Sequence, residues 1–209
     1  MVFVTLRHPG KLNAMSRAMW RALRSVFESI QFSTEVRCVL VRGKGGDFCA
    51  GGDIAEYPGF RFDEASLRDF HENDVWCGLQ AMLDCDVPMV AQIEGNCLGA
   101  GVEIACCCDI RIAAESARFG APIARLGFPM APREAGLVLR EAGAMSTREM
   151  LLQAARLNKQ TLRALNHAPA LVPYARSATD PIANAFRYAN GAEHREGIAA
   201  FMQKRKPMF

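Results

Sequence analysis

Hydrophobic positions along the chain switch repeatedly between a period of two and a period near 3.6. Val2-Phe3-Val4-Thr5-Leu6 alternates as a strand, and Ser16 stands where an N-cap belongs, before a helix with apolar positions at Met19, Leu23, Val26 and Phe27. Residues 36–42 read as a second strand and 64–84 as a long amphipathic helix. Met89-Val90-Ala91-Gln92-Ile93 reads as a buried strand, 100–107 as a buried helix, and Ile110-Arg111-Ile112-Ala113 as a further strand. Strands alternating with helices through repeated crossovers predict an α/β core. From about residue 146 the pattern becomes mainly helical, which divides the chain into a core of 1–145 and a helical region of 146–209.

Two glycine-rich segments interrupt this alternation: Ala50-Gly51-Gly52-Asp53, and Gly95-Asn96-Cys97-Leu98-Gly99-Ala100-Gly101-Val102-Glu103. In the second, the missing Cβ atoms allow close approach, and the helix that follows leaves backbone N–H groups near Ala100 as unsatisfied donors at its N-terminus. Glu103, three residues on, falls on the same helical face as Ala100. Gly52, in a turn after a strand, is placed to offer a second N–H. Two convergent donors form an oxyanion hole, and a carboxylate beside them is a candidate acid or base. The same glycines also fit simple turns and close-packing positions.

Composition limits the alternatives. With 209 residues, 50% hydrophobic and 22% charged, the chain can bury one large core, or a core with a small appendage. A net charge of +3, with basic residues dispersed apart from Lys204-Arg205-Lys206, does not point to nucleic acid. No apolar stretch has the length and freedom from charge needed to span a bilayer. Eight cysteines without a regular framework of spacings suggest free thiols in a reducing compartment. The adjacent Cys106, Cys107 and Cys108 cannot turn their sulfurs together onto one metal, and read as small buried hydrophobes.

The two segments, with His8-Pro9-Gly10-Lys11-Leu12-Asn13-Ala14-Met15, Cys108-Asp109-Ile110-Arg111-Ile112-Ala113, Phe119-Gly120-Ala121-Pro122 and Glu193-His194-Arg195-Glu196-Gly197-Ile198-Ala199-Ala200-Phe201, resemble the crotonase, or enoyl-CoA hydratase/isomerase, family over nearly the whole chain. The resemblance implies a spiral of repeated ββα units with a C-terminal helical region used for trimerisation. It implies that the Gly52 and Ala100 amides hold an acyl-CoA carbonyl as an enolate forms, with Glu103 as acid/base. Ala50 and Gly52 would line the coenzyme A path, and Lys11 would meet its phosphates. Phe201 and Lys204 would reach the coenzyme A of a neighbouring subunit. A solvated surface charge is an equal reading for Lys11 and Lys204.

Three departures bear on the chemistry. Where family hydratases place a second glutamate, in a Phe-Gly-x-Pro-Glu pattern, this chain has Ile123, which cannot move a proton. Glu134 is the nearest substitute in sequence, although a surface ion pair explains it more simply. Around 152–154 the family usually continues through a Gly, two spaced alanines and a Gly-Leu-Val strand, whereas here Gln153-Ala154-Ala155 follows Leu152. Met1 falls near what would be the second strand of an opening hairpin. Both gaps fit either true deletions or a numbering that skips residues. The second is preferred, because Leu152 and Gln153 join segments that each match their own family context; a true deletion would leave the acyl-pocket wall incomplete.

His8 and His194 read as structural, and His71 as surface-facing or hydrogen-bonded in preference to substrate-facing. Asp53 is read as a cap for a helix starting at Ile54. The resulting expectation is a cytoplasmic enzyme that adds water to a 2-enoyl-CoA. It would work as a homotrimer or dimer of trimers, with no metal or cofactor beyond the coenzyme A of its substrate, and with no nucleic-acid or membrane partner. The alternatives are an enoyl-CoA isomerase or acyl-CoA decarboxylase using Glu103 alone, or a catalytically weak acyl-CoA-binding protein.

Overall fold

The computed structural model describes residues 1–152 and 185–209. The chain forms two compact units: Met1–Asp53 with Glu72–Gly120, and Ile54–His71 with Ala121–Phe209.

In the first unit, strands β1 (Val2–Leu6), β2 (Val39–Gly43), β3 (Met89–Ile93) and β5 (Ile110–Ala113) make one parallel sheet in the order β1-β2-β3-β5. A second, narrower ladder pairs β4 (Asn96–Leu98) in parallel with β6 (Arg118–Gly120), and single bridges Cys49↔Cys97 and Met15↔Gly52 extend it. Parallel neighbours require crossovers. Each strand of the large sheet is therefore followed by a rung of the narrow ladder, and α1 (Arg17–Gln31) and α4 (Ala100–Cys106) then return the chain to the next strand. This is the spiral of ββα units expected from the family resemblance.

Helix α1 begins where Ser16 Oγ accepts from the Met19 N–H at 3.2 Å. Its buried stripe is Trp20, Leu23, Phe27 and Ile30, spaced three and four apart, so Val26 is left 40% exposed. Trp20 lies over Gly78 of α3 (Cys77–Leu83), where a Cβ would come within 3.1 Å of the indole. The expected 64–84 helix is helical in three pieces: α2 (Glu64–Asp69), a π-helical stretch Phe70–Trp76, and α3. Strand β5 is present at an edge of the sheet, and all four of its residues are exposed. The second observed strand starts three residues later than the 36–42 reading.

The second unit contains a 3-10 turn at Ile54–Gly59, α2, a 3-10 turn at Pro122–Leu126, α5 (Pro132–Leu152) and the C-terminal helix Ala192–Met202. Helix α5 is interrupted at Gly143, with φ 78° and ψ 161°, and the 145/146 division read from sequence falls inside it. The gap expected near 152–154 falls where the first described stretch ends, at Leu152. The expected helix from Gln153 onward lies outside the described residues. Among the described residues, no helix is long and apolar enough to cross a membrane, and no group of three or more His, Cys, Asp or Glu is placed to hold a metal ion.

Candidate active site

The two glycine-rich segments lie side by side in the narrow ladder of the first unit. The Cys49 N–H donates to Asn96 O and the Leu98 N–H donates to Cys49 O, both at 2.8 Å. Past the parallel bridge Cys49↔Cys97 both segments turn, at Gly51 (φ 111°) and at Gly99 (φ 47°), immediately before Gly52 and Ala100. The approach is close: a Cβ on Gly99 would lie 3.7 Å from Gly51 Cα. On the other side of the turn, the Met15 N–H donates to Gly51 O at 2.7 Å and the Asp53 N–H to Met15 O at 2.8 Å. In a parallel ladder those two bonds flank Gly52 and direct its own N–H away from Met15.

Ala100 is the first residue of α4, so its N–H is one of the donors a helix start leaves without an intrahelical acceptor. Glu103 lies in the same first turn, 8% exposed, and its own N–H closes that turn on Gly99 O at 3.1 Å. The helix is pressed onto the first segment at Gly101, where a Cβ would stand 2.6 Å from Cys49 O. Burial pushes the Cys49 thiol up to about 12, and the charge of Glu103 contributes to the rise, which places that carboxylate close to Cys49. At the far end of α4, Arg111 Nη1 donates to Ala105 O and Cys108 O at 3.3 Å, a favourable cation at a helix C-terminus. Ala50 and Gly52 thus lie on one of two adjoining segments, and Ala100 and Glu103 on the other.

Lys11 joins this region through Asp53. Its Nζ donates to Asp53 Oδ1 at 3.0 Å, and His8 Nε2 lies 3.9 Å from Oδ2. The Asp53 side chain is only 10% exposed, and it anchors the turn after Gly52 to the loop of residues 8–15. The Lys11 side chain keeps 42% exposure. His8 Nδ1 is 2.7 Å from Ala14 O, in keeping with a structural histidine.

The remaining candidates belong to the second unit. Ile123 is half-buried in the 3-10 turn Pro122–Leu126. Phe201, 55% exposed, and Lys204, with a left-handed φ of 53°, lie at and just beyond the end of the C-terminal helix.

Glu134 requires a correction: it is 2% exposed, not at the surface, and its Oε1 is 2.9 Å from His71 Nδ1. The pair is the end of a buried chain that the sequence reading missed. Arg61, 1% exposed, stacks its guanidinium on Phe128 at 3.8 Å and Tyr57 at 4.3 Å. Its Nη1 is 3.4 Å from His71 Nε2, and its Nε donates to His194 Nε2 at 3.3 Å. An arginine has no acceptor, so both Nε2 atoms must accept, and each imidazole must be neutral with its proton on Nδ1. His71 then donates to Glu134, and His194 donates to Ala189 O at 3.2 Å. Burial, with Arg61 adding to it, lowers His71 and pulls His194 down to about 3. The available signal was Arg61 set within the aromatic run Tyr57-Pro58-Gly59-Phe60-Arg61-Phe62.

Comparison with known proteins identifies the family and the fold. A family model described as Enoyl-CoA hydratase/isomerase matches residues 1–173. YngF of Bacillus subtilis, which bears the name enoyl-CoA hydratase/isomerase, is 36% identical over 124 residues, or 58% of this chain and 46% of its own. The mitochondrial Delta(3,5)-Delta(2,4)-dienoyl-CoA isomerase of Rattus norvegicus is 34% identical over 127 residues, or 56% of this chain and 38% of its own. The chain therefore spans less than half the length of these curated relatives. Among solved structures, AtuE of Pseudomonas aeruginosa has a TM-score of 0.69 at 32% identity, covering 99% of this chain and 95% of that one. An enoyl-CoA hydratase/carnithine racemase from Magnetospirillum magneticum has a TM-score of 0.71 at 28% identity, covering 100% and 91%. This chain belongs to the enoyl-CoA hydratase/isomerase family and has the crotonase fold.

Proposed function

We propose that the protein acts on acyl-CoA thioesters, polarising the thioester carbonyl between the Gly52 and Ala100 amides and moving protons with Glu103. The observation that carries this reading is the register of the two glycine-rich segments. Hydrogen bonds on either side of Cys49 hold the two segments side by side, Gly99 comes close to Gly51 one residue before each candidate donor, and Glu103 follows Ala100 within one helical turn. As an enolate develops, negative charge accumulates on the carbonyl oxygen. Fixed N–H dipoles stabilise that charge without reorganising, and the N-terminal end of α4 adds to the field. Lys11, with its exposed flank, is a candidate contact for coenzyme A phosphates, Ala50 for the path of the thioester arm, and Phe201 and Lys204 for a neighbouring subunit of a trimer.

The reaction is water addition to a 2-enoyl-CoA, with Glu103 activating the water and the oxyanion hole carrying the enolate. Ile123 supplies no second carboxylate, and Glu134 is engaged by His71. That observation favours a second reading, in which Glu103 alone shuttles a proton between carbons, as in an isomerase; the rat relative bears an isomerase name. Incubation with crotonyl-CoA and a longer 2-enoyl-CoA, followed by conjugated-thioester absorbance and product mass, separates the two. Gain of one water, abolished in Glu103→Gln while binding persists, supports hydration. Saturable binding without water gain removes the hydratase reading, and a double-bond shift at constant mass establishes isomerisation.

A further inference from the structure

Three successive corners of the spiral in the first unit are joined by side chains, and the joints sit just before the two candidate donors. At the first corner, Leu12 and Asn13 both take left-handed backbone angles, φ 48° and 59°. Such angles are uncommon without glycine, and here they bring the Asn13 side chain inward to 3% exposure. Its Nδ2 donates to Lys44 O at 2.9 Å and to Asp47 O at 2.8 Å, while its Oδ1 accepts from the His8 N–H at 3.2 Å. The amide thus uses both protons and an acceptor site on the adjoining corner and on its own loop.

At the second corner, Asp47 turns its side chain toward the third. Oδ1 accepts from the Asn96 N–H at 2.8 Å and from Asn96 Nδ2 at 2.7 Å. Room for that oxygen exists because residue 95 is glycine: a Cβ there would lie 2.6 Å from Asp47 Oδ1. From these corners the chain runs directly into the ladder. The Ala50 N–H donates to Leu12 O at 3.0 Å and the Cys49 N–H to Asn96 O at 2.8 Å, and Gly52 and Ala100 follow within a few residues.

We propose that Asn13 and Asp47 are positioning residues, forming with Asn96 a polar ladder that fixes the register of three turns so that the Gly52 and Ala100 amides converge. The inference rests on the oxyanion-hole reading of those amides. A parallel pairing is specified only by side-chain pattern and by its corners. The rungs here are one to three residues long, too short for pattern alone to hold register. Losing the Asp47 acceptor releases the Asn96 N–H and side-chain amide at the corner, and leaves the short strand that leads to Ala100 held by its few ladder bonds.

The test uses a 2,4-dienoyl-CoA thioester, whose absorbance moves to longer wavelength when its carbonyl is polarised. Bound to the native protein it shifts red, and it does so equally in Glu103→Gln, which keeps the hole while losing turnover. In Asp47→Ala the shift shrinks and kcat falls by about ten- to a hundred-fold, less than the ~10²–10³ of deleting a donor outright, with KM changed by less than about three-fold. Asp47→Asn retains an acceptor for the Asn96 N–H and restores both signals. Asn13→Asp, which sets an oxygen against Lys44 O and Asp47 O, loses them again. A full red shift in Asp47→Ala, or an Asp47→Asn variant no better than the alanine, overturns the positioning role while leaving the hole intact. Absence of any shift in the native protein overturns the oxyanion reading itself, and the ladder's role with it.

Discussion

Acidification provides a direct test of the buried Arg61 chain, because its two histidines must stay neutral to accept from the guanidinium. His194 is 1% exposed and is held down at about 3, chiefly by burial and then by Arg61. In the unfolded chain it titrates near its ordinary 6.5. A folded value below the unfolded one means that the unfolded state binds the extra proton. The stability His194 contributes is therefore fully present above about pH 6.5 and is lost as pH falls toward 3. One proton is worth about 1.4 kcal/mol per pH unit, so at pH 5 the loss is about 2 kcal/mol, or about thirty-fold in the folded-to-unfolded ratio. His71 acts in the same direction, its burial and Arg61 outweighing the opposing pull of Glu134.

Among the described residues, the charged and titratable groups facing His194 and His71 include Tyr57, Arg61, Arg68, Glu134, Tyr188 and Arg195, and Glu134 is the acidic group against His71. Protonation of His194 thus meets the charges of Arg61 and Arg195, which oppose it. Hydrogen exchange read by mass spectrometry on peptides from 54–71 and 185–200, corrected for intrinsic rates, should show protection falling between pH 7 and 5. The His194→Gln variant loses edge-to-face packing with Phe62, Phe128 and Tyr188. It should be weaker at pH 7.5 by about 1–2 kcal/mol, yet lack the thirty-fold acid term. Parallel pH curves for the two proteins would refute the argument, as would an imidazole signal from His194 titrating near 6.5.

Other consequences concern the first unit. Gly101→Ala, which drives a Cβ to 2.6 Å from Cys49 O, should cost about 1–3 kcal/mol in urea unfolding and weaken thioester binding; native-like stability would mean the α4 contact is softer than it stands. Iodoacetamide at pH 8 should label the half-exposed Cys38 and Cys77 and spare Cys49 and Cys108, whose thiols burial pushes up to about 12, with peptide mass mapping as the readout. Ser16→Ala removes the oxygen that accepts from Met19 N–H and should lower stability by about 1 kcal/mol, measured as a shift in the urea midpoint at constant slope.

What could be read from residues alone was local. Ser16 marks a helix start because its hydroxyl precedes an apolar helical pattern as an N-cap would, and Met89 to Ile93 marks a strand because its run is short and carries the β-branched Val90 and Ile93. The glycines at 51, 52, 99 and 101 pointed to close backbone approach, and their order along the chain carried the family resemblance. The tertiary fold decided partners. Val26 looks like a core residue until the position of α3 selects the stripe through Trp20 and Phe27. Glu134 looks like a surface charge until residues 63 positions away in sequence place His71 against it. Lys11 and Asp53 are 42 residues apart, and Asn13 and Asp47 are 34. No periodicity encodes such pairs, because a side chain's partner depends on which turns of the spiral become neighbours. That choice is made by burial of the sheets and helices as a whole, after which the polar groups left inside must find one another.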